Sequence, residues 1–112
     1  VLETEIRDAL EAGARFILIL GGSGFGVGNY APEVVRSIVE VEIPGIAEQI
    51  RAHGLANTPL SGLSREVVGV TARDASGALI ISSPGSRGGA LDTLEVVTPL
   101  LTAIFHQLDE QR

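Results

Sequence analysis

Phe16-Ile17-Leu18-Ile19-Leu20 runs directly into Gly21-Gly22-Ser23-Gly24-Phe25-Gly26-Val27-Gly28-Asn29, and the reading of this passage decides the fold. Five consecutive apolar residues, rich in β-formers and without polar alternation, predict a strand covered on both faces, as in parallel α/β sheets. The five glycines in the nine positions that follow allow positive φ and a close approach of backbone to a ligand. Pro32 and Glu33 then suit the first turn of a helix whose buried side is Val34, Val35 and Ile38. On the upstream side, Leu2, Ile6 and Leu10 recur every fourth residue among charged ones, and Gly13 is a natural stop. The segment Leu2 to Ala12 therefore reads as an amphipathic helix.

Working outward in the other direction, a helix is expected from Pro44 through Ile46, Ile50 and His53 to Gly54, with Arg51 in its last turn favouring the dipole. Ala56 to Leu63 has the composition of a loop. Val67 to Thr71 and Ala78 to Ser82 read as strands joined by the turn-forming Arg73-Asp74-Ala75-Ser76-Gly77, which predicts a hairpin. The second of these strands feeds Ser83-Pro84-Gly85-Ser86-Arg87-Gly88-Gly89. A helical pattern follows from Leu91 to Leu108, broken at Pro99, with Thr98 placed to cap a restarted helix. A buried strand, a glycine-rich loop and a helix thus occur twice. In parallel α/β sheets such loops lie at the carboxyl edge, where helix amino ends offer N–H groups to anions, so both loops are expected to share one pocket.

The 112 residues, at 11.6 kDa, suit one domain spanning 1–112 that hides roughly 65% of its extended surface on folding. Eight basic against 14 acidic residues give a net charge of −6, which argues against nucleic acid or an anionic membrane as partner. The longest wholly apolar run, Phe16 to Leu20, falls far short of the ~20 residues of a membrane helix. Cysteine is absent and every basic residue is arginine, so disulfides, thiolate zinc sites and lysine Schiff bases are excluded. A cytoplasmic location is compatible with that usage.

Two familiar glycine motifs fail. Gly22, Gly24, Gly26 and Gly28 alternate at every second position instead of following the dinucleotide spacing, and a P-loop needs a lysine. The polar candidates are Ser23 and Asn29 in the first loop, Ser64 and Arg65 before the hairpin, and Ser86 and Arg87 in the second loop. On an acidic chain, loop amides together with a nearby arginine would supply the positive potential that an anionic ligand needs. His53 and His106 are far apart and lack metal-ligand spacing, so they read as helix-end or surface residues and no metal ligand is assigned. Glu40 and Glu42 flank a helix end and read as solvated. No nucleophile, base and orienter triad can be read from this order of residues.

Taken in order, Gly21-Gly22-Ser23-Gly24, Pro32-Glu33, Glu42-Ile43-Pro44-Gly45, Leu63-Ser64-Arg65 with Gly69, Leu79-Ile80-Ile81 and Pro84-Gly85-Ser86 resemble the Mog/MoaB family of molybdenum-cofactor biosynthesis, to which the gephyrin G domain also belongs. The resemblance implies a three-layer α/β/α fold with a mostly parallel central sheet, assembled as a homotrimer. It implies binding of molybdopterin and, in active members, transfer of AMP from ATP, with Mg²⁺, onto the terminal phosphate of molybdopterin. By position, Gly21, Gly22, Ser23 and Gly24 would cradle the ligand, while Ser64, Arg65, Pro84, Gly85 and Ser86 would line the other walls. Arg87, where many members have proline, would add a phosphate contact.

Two departures from the family pattern bear on activity. Asn29 stands where the family's first loop usually carries an aspartate. The family's opening strand, helix and second strand, with an acidic residue just ahead of the helix at Leu2 to Ala12, have no counterpart in this sequence, so the domain is expected to be incomplete at its N-terminus. The alternative that Asn29 raises is a catalytically impaired relative that holds or hands over molybdopterin. A third reading is a generic anion-binding α/β domain.

Overall fold

A computed structural model describes residues 1–110. Helix α1 (Leu2–Glu11) leads to strand β1 (Phe16–Leu20), helix α2 (Ala31–Ile38), a short strand β2 (Val41–Glu42) and helix α3 (Pro44–Leu55). A 3₁₀ turn at Pro59–Leu63 precedes the hairpin of β3 (Val68–Val70) and β4 (Leu79–Ser83). Helix α4 (Arg87–Val97), a 3₁₀ turn at Thr98–Leu100 and helix α5 (Leu101–Glu110) complete the described residues.

The four strands form one sheet in the order β1-β4-β3-β2. β1 pairs with β4 in parallel, from Phe16 opposite Leu79 to Leu20 opposite Ser83. β3 runs antiparallel to both β4 and β2, so three of the four strands point the same way and only β3 opposes them.

Apolar residues on the two sides of the sheet belong to separate cores, which makes the molecule three-layered. Leu79 and Ile81 of β4, with Val68 and Val70, meet Ile46 and Ile50 of α3, Val97 of α4 and Leu108 of α5. Ile80 and Val67 meet Ile6 of α1 and Val35 of α2 on the opposite face. β1 divides in the same way, Phe16 and Leu18 to the first core and Ile17 and Ile19 to the second, as its unbroken apolar run predicts. It is nevertheless an edge strand among the described residues and only partly buried, with Leu20 62% exposed. A strand with one neighbour can have both faces covered and still present its flank to solvent.

Several local expectations shift. β2 was not legible, because two residues of extended chain carry no periodic signal. It exists because Glu40 and Ile43 N–H donate to Val70 and Val68 O of β3 at 2.9 and 2.7 Å. Glu40 and Glu42 are exposed, as expected. Helix α4 begins at Arg87, four residues before the apolar pattern does, since Ser86 Oγ accepts from Gly89 N–H at 3.1 Å and caps it. Pro99 does interrupt the following helix, but Thr98 is itself helical (φ −52°, ψ −45°) and opens a 3₁₀ turn instead of capping.

Helices α4 and α5 and the turn between them form a 24-residue rod, Arg87–Glu110, that is long and apolar enough to cross a membrane by length and composition alone. Counting uninterrupted apolar residues missed this, because polar residues break the run. Here Val97 and Leu108 of the rod are buried against the sheet. Arg15 also pins it, pairing with Asp109 at 3.1 Å and lying over the Phe105 ring at 4.9 Å.

Candidate functional site

Because β1 and β4 are adjacent and parallel, the loops that follow them leave the sheet at one edge. Gly21 N–H still donates to Ser83 O at 2.9 Å, and the chain then turns at Gly21 and Gly22, whose φ values of +100° and +73° strain any residue with a Cβ. The second loop crosses so near that a Cβ on Gly85 would lie 3.1 Å from Gly21 Cα. The two loops therefore touch backbone to backbone. Beside this contact opens a cavity of ≈ 680 Å³, within the roughly 300–1,000 Å³ usual for small-molecule sites.

Gly22, Ser23, Gly24 and Asn29 of the first loop, Pro84, Gly85 and Ser86 of the second, and Ser64 from the approach to β3 all line the cavity. Gly21 stands behind them, against Gly85. The third wall comes from the end of α3 and the 3₁₀ turn, including Asn57 and Ser61. Gly88 and Gly89 in the first turn of α4 also face the cavity, so the amino end of a helix, where first-turn N–H groups lack intrahelical acceptors, is directed at it. Ser86 Oγ satisfies one of those groups.

The two arginines proposed from sequence are not among the lining residues. Arg65 turns into the first loop: its Nε donates to Gly24 O at 2.7 Å and one terminal nitrogen to Asn29 O at 2.5 Å. The guanidinium also pairs with Glu33 at 2.6 Å, and Arg65 N–H donates to Ser23 O at 2.8 Å. The hydrogen bond from Arg65 holds the Glu33 carboxyl below its ordinary range, and Glu33 in return raises Arg65. A planar fork that fits two inward-facing carbonyls and a carboxylate at once shapes the loop from behind. Arg87 is the exposed first residue of α4. Asn29 folds back on its own loop, its Oδ1 accepting from Gly26 N–H at 3.3 Å.

Two acidic residues that sequence reasoning passed over face the cavity instead: Glu66, 3% exposed, and Asp92, 8% exposed. Burial pushes the Glu66 carboxyl up to about 7, against the opposing effects of the Thr93 hydrogen bond and the Arg51 charge. Thr93 Oγ lies 3.0 Å from Glu66 Oε2 and 2.9 Å from Gly89 O, two acceptors for a single hydroxyl proton. The Thr93 proton can serve only one of them at a time, and Ser83 Oγ lies 3.3 Å from the same hydroxyl. The other oxygen, Oε1, is buried without a partner. The sequence carried no signal for either, since Glu66 stands two residues ahead of β3 and Asp92 in mid-helix, positions where an acid is ordinarily solvated.

His53 lies exposed in the last turn of α3, as expected. Packing of α3 on α4 also brings Glu95 Oε2 to 2.6 Å and Asp92 Oδ1 to 3.7 Å from its Nε2, a meeting that the spacing along the chain does not show. His106 pairs with Glu110 on the outer face of α5.

Comparison with known proteins agrees with this geometry. Residues 2–103 match the family model described as "Probable molybdopterin binding domain". The molybdopterin biosynthesis Mog protein from Mycobacterium ulcerans superposes with a TM-score of 0.85 at 35% identity, over 95% of this chain and 67% of that one. The molybdopterin adenylyltransferase of Haemophilus influenzae is 32% identical over 98 residues, 87% of this chain and 48% of the enzyme. A molybdenum cofactor biosynthesis bifunctional protein from Synechococcus elongatus is 30% identical over 101 residues, 90% of this chain but 30% of that protein. The chain thus spans less than half the length of these two curated relatives. A glycine-walled cavity at the shared edge of two parallel strands, and a family match over nearly the whole chain, place this protein in the molybdopterin-binding domain family of molybdenum cofactor biosynthesis.

Proposed function

We propose that the cavity binds molybdopterin and supports transfer of AMP from ATP to the terminal phosphate of the pterin, within a homotrimer in the cytoplasm. The observation that carries this reading is the backbone contact of the two glycine loops around one cavity. In the reaction a phosphate oxygen of molybdopterin forms a bond to the α-phosphorus of ATP, the bond from that phosphorus to the bridging oxygen breaks, and pyrophosphate leaves. Such a transfer asks the protein mainly to position two phosphorylated groups and to offset their charge. The loop amides and the amino end of α4 can do both. Arg65 contributes indirectly, by holding the Gly24 and Asn29 carbonyls away from the ligand side.

Magnesium fits poorly at the first loop. Asn29 offers no charge, and its amide oxygen already accepts from Gly26 N–H, so no step is assigned to a metal there. That observation favours a second reading, a carrier that holds molybdopterin without turnover. At 4 Å and an effective dielectric of 20, a unit charge is worth about 4 kcal/mol, so Asn29→Asp separates the two readings. The protein is incubated with molybdopterin, ATP and magnesium, and adenylylated pterin is measured. Product from the unaltered protein, increased by Asn29→Asp, supports the transferase. Tight pterin binding with no product from either protein supports the carrier, and no saturable pterin binding overturns both.

A further inference from the structure

The cavity lining contains Glu66 and Asp92 and no arginine, lysine or histidine among the described residues. Arg65 is committed to the first loop. Arg51 lies behind the wall, its Nη1 donating to Glu66 O at 3.4 Å, and does not itself line the cavity, so the acidic groups on the lining have no cation beside them there. Directly behind Asp92 lies a group with the composition to supply one. His53 Nε2, an Asp92 carboxylate oxygen and a Glu95 carboxylate oxygen all lie within 4.8 Å of one another. Ligand atoms around a four-coordinate zinc ion, with bonds of about 2.0–2.2 Å, sit roughly 3.4 Å apart, so small side-chain rotations would close the set on an ion.

We propose that His53, Asp92 and Glu95 form a site for a divalent transition-metal ion, zinc by preference, behind the cavity wall to which Asp92 contributes. Three features support it. Asp92 and Glu95 are three apart on α4 and so share a helix face, against which α3 presents His53. Asn57 Nδ2 donates to Asp92 Oδ1 at 3.3 Å, orienting a carboxylate that is itself buried, as the partners of metal ligands commonly do. Buried in the same cavity wall, Glu66 leaves Oε1, a further acidic oxygen, without a hydrogen-bond partner. One imidazole with two carboxylates suits zinc or a similar ion, whereas magnesium prefers oxygen donors alone. Three protein ligands leave a position of a four-coordinate ion for water or for an anionic group entering the cavity, whose wall Asp92 shares. The site stands on its own residues and does not depend on the adenylyl-transfer reading.

The test is calorimetric titration of the chelator-stripped protein with Zn²⁺, with Mg²⁺ in parallel, together with thermal melting. Zn²⁺ is expected to bind one to one and to raise the melting temperature, since an ion that binds only the folded state stabilises it. His53→Ala, which alters a half-exposed ring, should keep the fold by circular dichroism and weaken Zn²⁺ binding roughly tenfold or more. His106→Ala, which removes a histidine with one carboxylate partner, should leave binding unchanged. No zinc heat, zinc binding that survives His53→Ala, or a site filled by Mg²⁺ in preference to Zn²⁺ would each overturn the assignment.

Discussion

Glu66 shows how one residue can set a pH dependence for the whole domain. Its folded carboxyl titrates near 7, against 4.5 for the ordinary group, so the folded state keeps a proton that the unfolded chain releases. Below pH 4.5 both states hold it and nothing is lost. Between 4.5 and 7 stability falls as pH rises, and above 7 the full penalty of about 3 kcal/mol applies. Glu66→Gln keeps the shape and cannot ionise. Between pH 5 and pH 8 the unfolding free energy from urea titration should therefore fall further in the unaltered protein than in the variant, by about 3 kcal/mol. Equal shifts in the two proteins would show that Glu66 ionises freely. Neither this residue nor the inward turn of Arg65 could be read from the sequence. An acid before a strand looks the same whether it meets water or Thr93, and an arginine near a glycine loop looks the same whether it faces a ligand or two carbonyls.

Among the elements, α3, the 3₁₀ turn and α4 converge at Gly54, where a Cβ would overlap Ser61 Oγ and lie 3.1 Å from Asp92 Oδ2. The packing that closes the third wall of the cavity therefore depends on a helix position without a side chain. Gly54→Ala should destabilise by about 1–3 kcal/mol despite the better helix propensity of alanine, and denaturant unfolding reads this directly. A neutral or stabilising result would show that α3 and α4 can separate freely there. The strands and helices that form around strong apolar patterns, β1, β4, α1 and α3, follow the sequence to within a residue or two. The elements made by pairing or capping do not. β2 needs β3 beside it, and the start of α4 needs the Ser86 side chain to take a backbone proton.

Across the whole molecule, Leu20, Phe25, Val27 and Tyr30, at or after the end of β1, are exposed. Exposed apolar side chains of this size favour association, in keeping with the homotrimer proposed above. Sedimentation equilibrium of the 112-residue chain should report about three times 11.6 kDa, and a monomer at micromolar concentration would refute the trimer. By itself the sequence determined the α/β class, the hairpin, the two glycine loops and the family, because apolar periodicity, turn chemistry and ordered motifs are local properties that survive being read one residue at a time. Only the tertiary structure decided that β1 lies at an edge, that Arg65 braces a loop, that Glu66 and Asp92 face the cavity and that His53 meets two carboxylates. Those outcomes depend on distances between residues 27 to 63 positions apart, which packing sets and composition does not record.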